Sequence, residues 1–83
     1  MPNIDVDGYQ IGFVMADVKR EPAHVHVSKG GKSVKYWLEP ISMARGTNKG
    51  FSGHELTKIE RILTDEYTML INNWNRAKGS YKP

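Results

Sequence analysis

Leu56, Ile59, Leu63, Tyr67, Leu70, Ile71 and Trp74 recur at the spacing of one face of an α-helix. A chain carrying such a stripe must find a surface to bury it against. Ser52-Gly53-His54-Glu55 stands in front of the stripe as a capping box. Ser52 would accept from the amide of Glu55, Glu55 would reach back to the amide of Ser52, and Phe51 holds the staple position. Arg76 and Lys78 suit the negative end of a helix dipole, and Gly79 offers a left-handed stop. The spacing predicts one long helix from about Ser52 to Ala77.

The covering surface is predicted from two hairpins. Asn3 to Val6 alternates polar with apolar, Asp7-Gly8 follows, and Tyr9 to Met15 returns. Asp-Gly suits a type I′ turn, in which both central residues need positive φ. That turn pairs Val6 with Tyr9 and Ile4 with Ile11, with Phe13 and Met15 continuing the apolar face. After a charged connection from Ala16 to Ala23, His24 to Ser28 and Ser33 to Leu38 flank Gly30-Gly31. A two-residue loop there sets Val27 against Val34 and Val25 against Tyr36 on one side. His26 then faces Lys35, and His24 faces Trp37, on the other.

Four antiparallel strands under one long helix is the α+β fold these patterns predict. It forms a single domain over 1–83, with a sheet over 3–38, a connecting segment over 39–51 and the helix over 52–78. Pro40 suits the first position of a short helical turn, and Gly46 to Gly50 reads as a polar, mobile loop. With 83 residues and a hydrophobic content of 39%, the chain is too apolar to stay disordered but small enough that its core is marginal. Cysteine is absent, so disulfides and thiolate chemistry are excluded. Neither a leader nor a long apolar run is evident, which predicts a cytoplasmic protein with no membrane partner.

Length creates an imbalance. A helix of ~26 residues is ~39 Å long, whereas a short strand spans ~17–20 Å. Met69, Leu70, Ile71 and Trp74 are therefore expected to form an uncovered interface, with Trp74 as anchor for a second copy or a partner chain.

His24-Val25-His26 sets two imidazoles on one face of a strand. Beside Lys35 and Trp37 they make an acid–base pair next to a phosphate ligand and a stacking ring, the residue set of an RNA-cleaving surface. His24 and His26 are the candidate catalytic residues, and Lys35 and Trp37 the candidate substrate-binding ones. A net charge of +3 permits such a ligand. The same two His suit a shared metal, with His54 as a further donor. His-x-His without an accompanying carboxylate cluster weighs against it, so neither a resident metal nor a cofactor is expected. A polar sheet face docked by a protein partner is the third reading.

Glu21-Pro22-Ala23-His24-Val25-His26-Val27, Lys35-Tyr36-Trp37-Leu38-Glu39-Pro40, and Gly50-Phe51-Ser52 with Glu55-Leu56 and Ile59 together form a pattern. It resembles a family of short bacterial proteins catalogued as domain of unknown function 4160, from the Asp7-Gly8-Tyr9 turn to Trp74. The resemblance implies a cytoplasmic component of a toxin–antitoxin-like gene pair, on the toxin side, with a cognate short protein from the neighbouring gene as partner. An antitoxin or adaptor without catalysis is the alternative. Ala23 stands where the family typically has a second Pro, which should slightly loosen the start of the strand. Asn75 stands where the family often has His.

Overall fold

The computed structural model describes residues 3–80. Two hairpins open the fold. Strands β1 (Ile4–Val6) and β2 (Tyr9–Gly12) pair Val6 with Tyr9 and Ile4 with Ile11. Asp7 and Gly8 take φ values of 53° and 85° at the turn, as a type I′ geometry demands. Strands β3 (His24–Lys29) and β4 (Lys32–Leu38) close over Gly30-Gly31, setting His24 against Trp37, Val25 against Tyr36, His26 against Lys35 and Val27 against Val34. Ile11 beside Val27 and Gly12 beside His26 join the hairpins into one sheet. Ala23 is buried, and its carbonyl accepts from Leu38 N at 2.9 Å.

The sheet has five strands rather than four. Leu38 turns at once through Glu39 and a cis Pro40 into β5 (Ile41–Met43), in the order β1-β2-β3-β4-β5. The short helical turn expected at Pro40 does not form; Ile41-Ser42-Met43, apolar–polar–apolar, is the short strand signal that Pro40 obscured. The loop that follows is pinned to the sheet rather than left as a loose lip. Ser33 and Lys49 exchange both backbone hydrogen bonds, at 3.1 and 2.7 Å, and Thr47 Oγ1 accepts from Lys35 N at 3.1 Å. The loop thus covers the part of the β4 edge that β5 leaves open, where unpaired strand groups would invite another chain.

The apolar face of the sheet and the helices make one core, holding Tyr9, Ile11, Phe13, Val25, Val27, Val34, Tyr36 and Leu38 with Ile59, Leu63, Leu70 and Trp74. Ile4 and Val6, on the short outer strand, are only partly buried. The helix begins as expected. Ser52 Oγ accepts from Glu55 N at 3.2 Å, Glu55 Oε1 accepts from Ser52 N at 3.2 Å, and Phe51 is buried against Tyr9. A hydrogen bond from Lys32 and the Ser52 amide hold the Glu55 carboxyl below its usual range.

The single long helix is in fact two, α1 (Gly53–Asp65) and α2 (Tyr67–Ser80), separated at Glu66 with φ −97° and ψ 9°. Three local features accompany the break. Thr64 Oγ1 donates to Glu60 O at 2.8 Å, a side-chain bond that bends helices. The Glu66 amide is shared between the carbonyls of Ile62 and Thr64. Asp65 and Glu66 also place negative charge at the negative end of the α1 dipole. At the far end α2 runs through Gly79 to Ser80, so Gly79 is no stop.

The uncovered patch is not formed as expected. Leu70 and Trp74 are 1% and 3% exposed within their own chain, Ile71 is partly buried, and Met69 alone of the four stays exposed. Trp74 meets the Phe13 ring edge-on at 4.9 Å and the His24 ring at 5.0 Å. Phe13, just past the end of β2, and the buried His24 supply cover that the strands are too short to give. Among the described residues no helix is long and apolar enough to cross a membrane.

Candidate functional site

Period-two alternation puts His24 and His26 on the same side of β3, but the two rings meet different surroundings. His24 begins the strand and is wholly buried. Its ring lies 5.7 Å from Trp37 and 5.0 Å from Trp74, and edge-on to His26 at 5.3 Å. His26 is exposed, its side chain half accessible. A candidate catalytic pair thus resolves into one ring open to a ligand and one closed to it.

The connection between β2 and β3 completes the site. A 3-10 turn at Met15–Asp17 presents Asp17, whose Oδ2 lies 3.1 Å from His24 Nε2 and 3.7 Å from His26 Nε2. His24 Nδ1 lies 2.9 Å from the carbonyl of Pro22. A carbonyl only accepts, so Nδ1 carries the hydrogen and Nε2 is turned on the carboxylate. No sequence motif marks Asp17, seven residues before His24 in an irregular segment. The signal available was its position in a charged connection that Pro22 returns to the strand.

Lys35 and Trp37 sit on the adjoining strand as the register requires. Lys35 Nζ lies 4.4 Å over the Trp37 ring and pairs with Glu21. The ring supplies a partner for the cation, and Glu21 partly neutralises it. Two shallow depressions of about 360 and 210 Å³ flank His26, which lines both. Lys35, Thr47 and Lys49 border the first, and Gln10, Gly12 and Ser28 border the second. His54 does not join this corner: exposed in the first turn of α1, it lines a separate depression with Lys58, Arg61 and Asp65.

Fold and site together define a small α+β protein, a five-stranded antiparallel sheet backed by two helices, with a histidine–carboxylate corner at one sheet end. More particularly, the chain belongs to the family described as Domain of unknown function (DUF4160), whose pattern matches residues 8–75. That span contains Asp17, both strand histidines, Lys35 and Trp37. No curated protein and no solved structure matches the chain.

Proposed function

We propose that this chain is the effector half of a toxin–antitoxin-like pair and acts on RNA through the exposed face of β3 and β4. The observation that carries the RNA reading is the half-accessible His26 ring beside Asp17, with Lys35 over Trp37 on the neighbouring strand. A phosphate calls for a cation, an unstacked base for a flat ring, and reaction at a ribose hydroxyl for a group that manages the proton. His26 takes the reacting position, Lys35 and Trp37 hold the strand, and Lys49 adds a cation across the depression. Lys35 exchanges Glu21 for phosphate when RNA binds. His24, closed to substrate, is a positioning residue acting through Asp17. The gene partner is inferred from the family resemblance.

The test combines growth on expression without the neighbouring gene and binding of single-stranded RNA by purified protein across a salt series. Wild type should arrest growth and bind RNA with an affinity that falls as salt rises. His26→Ala should keep binding but relieve the arrest, and Lys35→Ala should weaken binding severalfold. A fully toxic His26→Ala protein removes the reacting role, and a wild type that ignores RNA leaves the non-catalytic adaptor in its place.

A further inference from the structure

We infer that Asp17, His24 and His26 form a binding site for one divalent transition metal ion of the zinc class. The carboxylate whose absence from the local sequence weighed against a metal is supplied by Asp17, and the three ligand atoms lie within 4.8 Å of one another. Zinc–nitrogen and zinc–oxygen bonds of ~2.0–2.2 Å, at angles from square to tetrahedral, separate ligand atoms by ~2.9–3.5 Å. The 3.1 Å between Asp17 Oδ2 and His24 Nε2 falls inside that range. The 3.7 Å between Asp17 Oδ2 and His26 Nε2 is too long for a hydrogen bond and a few tenths of an ångström wide for a chelate. The two imidazole nitrogens lie within 4.8 Å of each other, so closing the chelate takes a shift of up to about an ångström, and it falls on His26, the one ligand whose side chain is half exposed.

The surroundings of His24 favour the same reading. With Nδ1–H directed at the Pro22 carbonyl at 2.9 Å, the lone pair of Nε2 points at a carboxylate oxygen. Two acceptors 3.1 Å apart repel unless a cation, a proton or a metal ion, lies between them. Metal-bound His characteristically donates its other ring nitrogen to a carbonyl or carboxylate, which fixes tautomer and ring direction. Trp37 and Trp74 pack against His24 and hold it in place before any ion arrives. Two imidazoles and one carboxylate leave a coordination position open. His26 lines the flanking depressions, so the site is open to solvent on the His26 side.

This inference stands apart from the RNA reading. Where both hold, His26 would be a ligand of the ion, and the ion would supply Lewis-acid chemistry at the RNA-facing side of the sheet.

The experiment uses the full chain, stripped with chelator and then titrated with zinc, and separately with cobalt(II) for its visible absorption. Wild type should bind one zinc per chain, show cobalt bands typical of nitrogen–oxygen ligation, and melt at a higher temperature with zinc than without. Asp17→Asn, nearly isosteric, and His26→Ala, at an exposed position, should each remain folded by circular dichroism and lose tenfold or more in zinc affinity. Affinity should also fall as pH is lowered, since protons compete for the imidazoles. A wild type that takes up no stoichiometric zinc overturns the inference and leaves a proton between His24 and Asp17. Stoichiometric binding unchanged in both variants overturns it equally, by placing the ion elsewhere. Neither readout depends on RNA, so failure here and failure of the RNA reading are distinguishable.

Discussion

His24 and His26 stand two residues apart on one strand, yet their loss should be felt differently. Removing the His24 ring would empty a volume walled by Trp37 and Trp74 and leave the Pro22 carbonyl and Asp17 without their partner. A cavity and a lost polar network together predict a cost of ~2–4 kcal/mol for His24→Ala. His26→Ala, at an exposed position, should change stability by no more than ~0.5 kcal/mol. Urea denaturation of the two variants checks the contrast, and equal losses would contradict the burial described. The shared face of the two rings was legible from strand period, and the pairing with Lys35 and Trp37 from the Gly30-Gly31 loop that sets the register. The burial of His24 was not. It depends on Asp17, Pro22 and Trp74, brought in by an irregular connection and by a helix far along the chain, and no periodicity encodes such meetings.

Among the elements, the hairpins and the helix start follow local chemistry, so their turns, register and cap were readable. The missed features are those where a weak local signal competes with a strong one, as at Pro40 against the alternation of β5 and at Thr64 against the helical stripe. A bond no local pattern announces ties sheet to helix. Tyr36, buried in β4, donates its hydroxyl to Glu60 Oε2 of α1 at 3.0 Å. Burial, and then the hydrogen bond and charge of Glu60, raise the Tyr36 phenol well above its ordinary range. The folded state thus favours the neutral phenol. The resulting stability is complete below the unfolded phenol value of ~10 and is lost as pH rises from there toward the raised folded value. Tyr36→Phe should cost ~1 kcal/mol at neutral pH and flatten that alkaline loss. Thermal melts of both proteins from neutral to strongly alkaline pH test it; parallel curves would contradict the assignment.

At the scale of the whole molecule, the length mismatch between sheet and helix was a sound premise with two solutions. One covers the surplus stripe with another chain; the other breaks the helix that carries the stripe and extends the cover. The fold uses the second, breaking the helix at Glu66, adding β5, and bringing Phe13 and the following connection under α2. Trp74 therefore belongs to the core. Trp74→Ala should cost ~3–5 kcal/mol of folding stability, the range for large aromatic truncations in cores. Such a loss is a large share of the ~5–15 kcal/mol that holds a domain of ordinary stability, so the variant should be substantially unfolded or close to it. The cost should be independent of protein concentration, because Phe13, His24 and the rest of the Trp74 surroundings belong to the same chain. If Trp74 instead anchored a dimer, diluting the wild type would lower its melting temperature, and the variant would remain a folded monomer. Denaturation of wild type across a wide range of concentration, with sedimentation of the variant, separates the two. A folded monomeric variant beside a concentration-dependent wild type would return Trp74 to an interface between chains.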